Sequence, residues 1–384
     1  MIVFDDDFPE RLCYSYFMTA SNHPIIFDTS DGQQLRVNMI GSWLKRRFGR
    51  KIVKLSIDGG FTCPNRDGSK GSGGCLFCSG SGSGDMASSI ESAAGIAAAK
   101  EESGQADFVA PRRVRRALDD QIGLLSGKWP QAGYIAYFQS HTNTYAPAQH
   151  LRALFTAAAD QPDVIGLAIA TRSDCLSEEV LDLLEELNRR TFLWVELGLQ
   201  TIHGETARAM NLCHTLADYD SAAARLHSRG IRIVTHLILG LPGESRQMML
   251  DSVRYVCQPL QDGNGHSRSL ADDPSDCCPE GKSAHLFGLK LHMLNVVRSS
   301  ALSREYPGYV PFDSIDDYTD FVIEALELVP PDVTIHRISG DAPRSDLIAP
   351  EWSWRKRTIL NEIHRKMRLR DTWQGRMTGI TGIP

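Results

Sequence analysis

The sequence predicts an α/β protein, a partial (β/α)6 barrel of the TIM type with an N-terminal arm and a C-terminal extension. The first observation is that six short runs rich in Val, Ile and Leu alternate with helical segments between residues 52 and 328. Strands that are each followed by a helix form a parallel sheet with the helices outside it. The second observation is that unusual polar residues follow almost every strand, where barrels of this type place their chemistry.

The predicted elements follow one another in regular order. The strands are a first run at 51–58 (KIVKLSID), then 133–138, 164–170, 192–199, 231–239 and 286–296. The helices are 112–126, 148–159, 177–190, 216–229, 245–257 and 315–328. An apolar stripe at helical spacing gives the third helix a core-facing side, formed by Val180, Leu181, Leu184 and Leu187. After residue 330 we expect one more short strand, a polar loop and a basic helix near 352–369.

Composition favours a globular protein of the cytoplasm. The chain has 384 residues, of which 42% are hydrophobic, enough for a large buried core. Its start, MIVFDDDFPE, lacks a cationic region followed by an apolar run, and no stretch of about 18 uninterrupted apolar residues occurs, so secretion and membrane spanning are not expected. Nine scattered cysteines, an odd number, favour reduced thiols and metal ligation over disulfides.

Charge and composition suggest three parts. We expect an acidic arm or cap at 1–42, the barrel at 43–330 and a C-terminal extension at 331–384 that is a candidate substrate-binding region. Residues 260–284 read as a surface insertion that contains Cys277 and Cys278, and residues 86–110 as a short helix or a lid. The net charge is −6, but basic clusters at 45–54, 112–116 and 355–370 make a polyanion-binding surface a fair hypothesis, with Trp352, Trp354 and Trp373 near the third.

The loop after the first strand carries Cys63, Cys75 and Cys78 with the spacing C-x11-C-x2-C. Thiolates on a flexible loop can turn inward onto a soft metal centre. A structural zinc site needs a fourth ligand, and no Cys or His lies between 79 and 140. A redox pair formed by Cys75 and Cys78 would leave Cys63 without a role. The loop therefore favours an iron–sulfur cluster with one open iron.

These motifs resemble the radical S-adenosylmethionine (SAM) superfamily. The superfamily's commonest spacing is C-x3-C-x2-C, and the longer first gap resembles the branch that includes the catalytic subunit of Elongator. The segments at 170–174 (ATRSD) and 195–201 (VELGLQT) look like that branch's TRPD and VELGVQS motifs, with Ser173 in place of proline. The chain also resembles the YhcC/YtqA (MnmL) family in FTCPNRDGSKGSGGCLFCS, FQSHTNTYAP, IATRSDCL, VELGLQT, THLILGLPGE, KLHMLNVV and IHRISGDAPRSDLIAPEWS.

The resemblance implies roles by position. Cys63, Cys75 and Cys78 would bind a [4Fe-4S] cluster, whose fourth iron is chelated by SAM. The residues that would line the SAM site are Gln139, Asn143, Thr144, Arg172, Glu196, Gln200, Gly240, Pro242 and Gly243. Arg172 would pair with the SAM carboxylate or form a salt bridge with Asp174, and the glycines would approach the adenine or form a turn. His236 and His292 are site residues or core histidines, and no catalytic residue is assigned.

The resemblance also implies a reaction. SAM is cleaved reductively to a 5′-deoxyadenosyl radical that abstracts hydrogen from a substrate, with electrons from a donor such as flavodoxin or ferredoxin. The implied substrate is the wobble uridine of tRNA, whose carboxymethylaminomethyl group would become aminomethyl. Two alternatives stay open: a radical SAM enzyme that acts on a peptide or a small metabolite, and a non-catalytic zinc-binding RNA adaptor. The tRNA set, the electron donor and the oligomeric state are not predicted.

Overall fold

The fold is that of a computed structural model, which describes residues 27–28, 34–80, 82, 88–89, 106–258, 286–340 and 342–378. The expectations for most of the acidic arm, for the 260–284 insertion with Cys277 and Cys278, and for most of 86–110 lie outside the described residues. None of the described helices is long and apolar enough to cross a membrane.

The main sheet is parallel throughout and curls into a half-barrel. Its strands, numbered with the rest of the chain, are β3 Ile52–Asp58, β4 Ser88–Ser89, β5 Gly133–Phe138, β6 Val164–Arg172, β7 Phe192–Gln200, β8 Arg232–Leu239, β9 Gly288–Met293 and β11 Thr334–Arg337. From one edge to the other they lie in the order β11, β9, β8, β7, β6, β5, β3, β4. Each long strand thus lies beside the next one in the chain, the arrangement that strand, helix and strand repeats produce.

The remaining elements lie outside this sheet. The helices are α1 Ile40–Phe48, α2 Ala106–Ser126, α3 Ala148–Ala159, α4 Glu178–Arg190, α5 Gly204–Ala209, α6 Leu216–Ser228, α7 Arg246–Val256, α8 Leu302–Glu305, α9 Ile315–Glu327 and α10 Lys356–Leu369, with a 3-10 turn at Glu351–Trp354. Two small antiparallel pairs complete the fold: β1 Phe27–Asp28 with β2 Gln34–Leu35, and β10 Val296–Val297 with β12 Leu347–Ala349.

The predicted partial barrel is confirmed, with two differences in its elements. The sixth predicted strand ends at Met293, and Val296–Val297 leaves the sheet to pair with Leu347–Ala349. The short strand expected after residue 330, Thr334–Arg337, pairs parallel with β9 and so extends the main sheet. Sequence alone placed it in a separate extension because four residues carry too little periodicity to show their sheet partner.

The inside of the half-barrel is closed at the amino ends of the strands by α1. This helix contacts both the first long strand and β11, so it bridges the two sides of the curled sheet. Ile40 and Leu44 of α1 pack in one cluster with Ile52, Ile135 and Trp194 from the strands. Because side chains alternate along a strand, positions two residues further on point to the same interior, nearer the carboxyl ends. Those positions include Lys54 and Glu196.

Candidate active site

The eleven residues between Cys63 and Cys75 form a tight loop that returns the chain to its start. The backbone amides of Lys70 and Gly71 donate to the Pro64 carbonyl at 2.9 and 3.1 Å, and that of Gly74 donates to the Asn65 carbonyl at 2.8 Å. Gly74 has φ of 80°, a left-handed conformation that glycine adopts without strain. The long first gap therefore brings the second cysteine back beside the first.

A second segment holds this loop in place. The Leu76 amide donates to the Met210 carbonyl at 3.1 Å, and Asn211 Nδ2 donates to the Gly74 carbonyl at 2.8 Å. In return Asn65 Nδ2 donates to the Asn211 carbonyl at 2.5 Å and lies 3.5 Å from Cys75 Sγ. The segment that follows α5 thus fixes the cysteine loop from the side.

The thiols of the loop interact with one another. A hydrogen bond from Cys75 to Cys78 raises the pKa of Cys75 and lowers that of Cys78, and burial raises both. Arg66 and Arg172 lower the pKa of Cys78 further, and the charge of Cys63 opposes them. Thiolates near cations are the protonation state that metal ligation needs.

The donor set fits an iron–sulfur cluster. Among the residues that the structure describes, no three of His, Cys, Asp and Glu converge on a single metal ion. The thiolates of a [4Fe-4S] cluster bind different irons, so they do not have to converge on one point. Three half-buried cysteines on a loop fixed at both ends meet that requirement, and Cys63, Cys75 and Cys78 would be the ligands.

Arg172 lies at the end of β6 and forms the salt bridge that the sequence left open as an alternative. Its Nε and Nη2 donate to the two carboxylate oxygens of Asp174, both at 2.9 Å, and its Nη1 donates to the Leu212 carbonyl at 2.8 Å. Lys70 of the cysteine loop also contacts Asp174 at 2.8 Å. Burial raises the pKa of Asp174, but hydrogen bonds from Arg172 and Lys70 outweigh it and lower that pKa to about 2. This cluster ties three loops together.

Buried polar atoms without a protein partner gather at the carboxyl ends of the strands. They belong to the loops after β5, β6 and β9 and to the last residue of β7: Ser140 Oγ, Asn143 Oδ1, Ser173 Oγ, Gln200 Oε1 and both amide atoms of Asn295. Buried polar groups are normally hydrogen-bonded, so each such atom calls for an explanation. A polar ligand bound at this end of the barrel provides one.

Gln200 has an unusual backbone. Its φ of 71° lies in the left-handed region, which a residue with a long side chain seldom adopts. Its side chain folds back along its own strand, since a Cβ on Gly198 would lie 2.7 Å from Gln200 Nε2. Strained residues of this kind concentrate at binding and catalytic sites.

The other residues predicted after β5 lie on the same rim. The backbone amide of Gln139 donates to the Ile57 carbonyl of β3 at 3.3 Å, and its side chain is half-buried. Asn143 Nδ2 donates to the Ala170 carbonyl at 2.8 Å. The Thr144 hydroxyl contacts Thr171 Oγ1 at 2.6 Å and donates to the Cys175 carbonyl at 2.5 Å. Asn143 and Thr144 therefore join the loops after β5 and β6.

Pro242 and Gly243 lie in a turn, which is the second of the two roles that the sequence allowed for this segment. The Glu244 amide donates to the Leu241 carbonyl at 3.1 Å, with Pro242 and Gly243 in the middle and φ of 87° at Gly243. Proline followed by glycine is the preferred pair for such a turn. A Cβ on Gly240 would lie 2.7 Å from Pro311 Cβ, so the space at this glycine is taken by the protein itself.

Glu196 is buried within a polar network inside the barrel. Tyr137 Oη donates to its Oε2 at 2.6 Å, Lys290 Nζ donates to the same oxygen, and Trp194 Nε1 donates to Oε1 at 3.1 Å. Burial raises the pKa of Glu196, but the positive charges of Lys290 and Lys54 lower it far below its usual range. The assignment of Glu196 to SAM stays a prediction, and the structure supplies its carboxylate with protein donors.

Sequence reasoning missed Lys54, Tyr137, Lys290 and Asn295. Lys290 had a signal, because it is the one charged residue within the apolar run LFGLKLHML. A lysine that is 3% exposed in the middle of a strand must have a buried partner, which here is Glu196. Asn295 follows the same strand and gave no signal, since asparagine after a strand usually marks a turn.

Family profiles match most of the chain. Residues 65–256 match the radical SAM superfamily, and residues 287–368 match the radical SAM C-terminal domain. The class of protein that the half-barrel and the three-cysteine loop define is thus the radical SAM enzymes, which use a [4Fe-4S] cluster and SAM.

Comparison with known proteins narrows the class. The chain is 36% identical to YtqA of Bacillus subtilis over 356 residues, which cover 92% of this chain and 96% of YtqA. It is 34% identical to YhcC of Escherichia coli over 334 residues, 86% of this chain and 92% of YhcC. The chain therefore belongs to the radical SAM superfamily and, within it, to the family of YtqA and YhcC.

More distant similarities reach the Elongator branch. The chain is 29% identical over 182 residues to the tRNA uridine(34) acetyltransferase of Dehalococcoides mccartyi, which is 47% of this chain and 34% of that protein. The solved structure of archaeal Methanocaldococcus infernus Elp3 superposes with a TM-score of 0.51 at 17% identity, covering 69% of this chain and 60% of that one. This structural likeness concerns the fold alone.

Proposed function

We propose that this radical SAM enzyme modifies the wobble uridine of tRNA, converting a carboxymethylaminomethyl side chain to aminomethyl. When bound, the cluster and SAM would supply the 5′-deoxyadenosyl radical that abstracts a hydrogen atom from the methylene next to the carboxylate. Loss of one further electron from that carbon, passed back to the electron donor, would give an iminium group that one water molecule hydrolyses, so the two-carbon fragment leaves as glyoxylate and the amine stays on the uridine. The chain's own residues hold the cofactors, orient the RNA base and limit the access of bulk water. A cytoplasmic location and an electron donor such as flavodoxin or ferredoxin belong to the same proposal.

The observation that carries the RNA part is an exposed tryptophan between two arginines. Trp354 is 45% exposed, and the guanidinium carbons of Arg344 and Arg355 lie 4.4 and 5.5 Å from its ring centroid. Single-stranded bases stack on exposed aromatic rings and on guanidinium planes. The strand Leu347–Ala349 pairs with Val296–Val297 just past β9, so Trp354 follows a segment that borders the carboxyl ends.

Other aromatic and basic side chains of the C-terminal region pack within the protein and stabilise its fold. Trp352 is half-buried against Tyr318 at 5.9 Å between ring centroids, and Lys366 is buried between Asp316 and Asp320 at 2.6 and 2.5 Å. Of the three tryptophans expected to form a platform, only Trp354 is exposed enough to stack with a base. The proposal therefore rests on Trp354 and its arginines.

The basic cluster at 112–116 offers a second contact for a polyanion. Arg112 and Arg115 line an outer groove of about 600 Å³ between α2 and α3, together with Arg152 and Arg190. Arg152 and Arg190 are paired with acidic residues, whereas the side chains of Arg112 and Arg115 are exposed. Phosphates of a large RNA could be bound there without base recognition.

The SAM site is proposed among the predicted rim residues. Asn143 Oδ1 and Gln200 Oε1 are buried acceptors that lack a protein donor, so they support a role in binding the amino or hydroxyl groups of SAM. Gln139, Thr144, Arg172, Glu196, Gly240, Pro242 and Gly243 stay in the proposed site as residues that shape it. We propose that Arg172 contributes to the site mainly by holding its loops together, through its hydrogen bonds to Asp174 and to the Leu212 carbonyl, and not by binding SAM alone.

The similarity to a tRNA uridine(34) acetyltransferase supports the same substrate class, since that protein's name refers to the wobble position. The test is anaerobic incubation of the reconstituted enzyme with SAM, a reductant and tRNA bearing the carboxymethylaminomethyl group, followed by mass spectrometry of the nucleosides. We expect aminomethyluridine together with 5′-deoxyadenosine. Formation of 5′-deoxyadenosine with the wobble nucleoside unchanged would overturn the tRNA assignment and leave the radical chemistry intact.

A further inference from the structure

The interior of the barrel carries more positive than negative charge. Burial lowers the pKa of Lys54 on β3 and of Lys290 on β9, Glu196 on β7 raises both, and the charge of Arg337 on β11 lowers both. Lys290 donates directly to Glu196, and Lys54 Nζ lies 4.0 Å from Glu196 Oε1. Among the described residues Glu196 is the one carboxylate in salt-bridge contact with this group. One carboxylate thus faces two lysines and one arginine.

The cation that Glu196 does not reach is Arg337. Its Nη1 donates to His292 Nδ1 at 3.2 Å, and it forms no salt bridge with any residue that the structure describes. The side chain is half-buried at the last position of β11, next to the carboxyl rim. Lys54 is also accessible: 27% of its side chain is exposed, compared with 4% of the Lys290 side chain. Arg337 and Lys54 are therefore the cations that a ligand could reach.

Two neutral imidazoles lie beside Arg337. His236 and His292 lie with their ring centroids 5.1 Å apart, and His236 Nε2 is buried without a hydrogen-bond partner. Burial lowers the pKa of both imidazoles, and the charge of Arg337 lowers it further. Neutral imidazoles can donate to an anion without needing a counter-charge of their own. The described side chains next to Arg337 therefore offer hydrogen-bond donors and no carboxylate.

We propose that Arg337 and Lys54, with His292 beside the arginine, bind the carboxylate of the substrate side chain inside the barrel. This inference rests on the proposed function, because the carboxymethylaminomethyl group ends in a carboxylate. Binding this group by a guanidinium and an ammonium selects an anionic side chain and leaves the neighbouring methylene facing the rim where the cysteine loop lies. An unmodified uridine lacks this carboxylate, so we expect it to bind more weakly.

Two other sources could supply an anion, and the test separates them. They are the carboxylate of SAM and a phosphate of the RNA backbone. The probes are two anticodon stem-loops that differ in one group: one carries the carboxymethylaminomethyl uridine, and the other carries the corresponding neutral amide. Both have identical phosphates, and both are tested with the same SAM concentration.

The experiment compares kcat/KM for the two stem-loops in the reconstituted wild type, in Arg337→Gln and in Lys54→Gln. The wild type should prefer the carboxylate by about ten- to a hundredfold, the range of a charge-assisted contact, and each variant should lose most of that preference. Arg254→Gln, which removes an exposed arginine from α7, is the matched control and should keep the preference. Lys54→Gln keeps the test decisive if Arg337→Gln does not fold.

The contrary outcomes are distinct. Equal use of the carboxylate and the amide by the wild type would overturn the proposal while leaving tRNA modification standing. An Arg337→Gln variant that binds both stem-loops more weakly by the same factor would assign the arginine to phosphate, and one that loses only SAM affinity would assign it to SAM. Conversion of neither stem-loop by the wild type would overturn the proposed function, and this inference with it.

Discussion

The two ends of the half-barrel interior differ in almost every physical respect. At the amino ends of the strands, Ile40 and Leu44 of α1 pack on Ile135 and Trp194, and the indole of Trp194 is fully buried with its N–H hydrogen-bonded to Glu196. At the carboxyl ends, polar atoms such as Gln200 Oε1 and the whole Asn295 amide are buried without partners.

We infer from this difference that the amino end contributes mainly to stability and the carboxyl end mainly to ligand binding. The amino end buries mainly apolar surface, so it stabilises the fold. The carboxyl end keeps unsatisfied acceptors and a strained glutamine, which cost stability unless a ligand compensates. Substitutions at the two ends should therefore have opposite signatures, and the predictions below test that contrast from the largest expected effect to the smallest.

The largest effect is expected at the cysteine loop. Cys78→Ala should abolish cluster binding and reduce 5′-deoxyadenosine formation below detection, because an iron would lose its thiolate ligand. Iron content and the visible absorbance of the reconstituted protein measure this. Cys213→Ala is the matched control, since Cys213 is an exposed cysteine in the segment that flanks the loop, and it should retain the cluster. Equal loss of iron in both variants would contradict a three-cysteine site.

At the middle of the interior, Lys290→Met should destabilise the protein by about 3–5 kcal/mol, because it leaves the buried Glu196 without its main counter-charge. Chemical denaturation of the cluster-free protein gives the free energy of unfolding. Adding Glu196→Gln to Lys290→Met should recover a large part of the loss. If the double variant were as unstable as the sum of the two single variants, the pair would not be coupled.

A direct comparison of the two ends uses Trp194→Ala and Asn295→Ala. The first removes a large, fully buried side chain and should cost about 3–5 kcal/mol. The second removes a buried amide that has no partner, so it should cost less than about 1 kcal/mol while lowering turnover. Unfolding curves and 5′-deoxyadenosine assays on the same preparations give both numbers. A large stability loss in Asn295→Ala with normal turnover would contradict the contrast.

The rim itself has one stabilising cluster, and its effect depends on pH. The pKa of Asp174 is lowered to about 2 from an ordinary 3.8, so the carboxylate contributes stability above pH 3.8 that is lost as the pH falls toward 2. Asp174→Asn should therefore cost about 2 kcal/mol at pH 7, and the cost should shrink as the pH drops below about 4. Urea denaturation at several pH values measures it. A cost that stays constant down to pH 3 would show that charge is not its source.

The sequence predicted the order of the strands and helices better than it predicted the contacts between side chains. Alternating apolar runs predicted the sheet, which the structure confirms, and the three-cysteine spacing predicts the ligands of a cluster, because both signals are local. Lys290 and Glu196 lie 94 residues apart in the chain, so their contact depends on how β7 and β9 are placed in the sheet. Arg172 shows the same limit: its residue type suits SAM, but the structure joins it to Asp174 and to the Leu212 carbonyl. Only the folded chain shows which donors are already used.

The predicted domain boundaries and the roles of the rim residues toward SAM remain predictions. Trp354 illustrates what the structure added to them, since the sequence grouped it with Trp352 and Trp373 and only exposure separates the three. Exposure depends on the packing of α9 against α10 and on the 3-10 turn, which no periodicity in the sequence indicates.

The central claim is that the cysteine loop and the unsatisfied carboxyl ends of the strands form one site for the cluster and SAM. The most direct test is the electron paramagnetic resonance spectrum of the reconstituted, reduced wild-type protein before and after addition of SAM. We predict a [4Fe-4S] signal whose shape changes when SAM binds. A protein that takes up zinc and no iron, or a cluster signal that SAM leaves unchanged, would contradict the account.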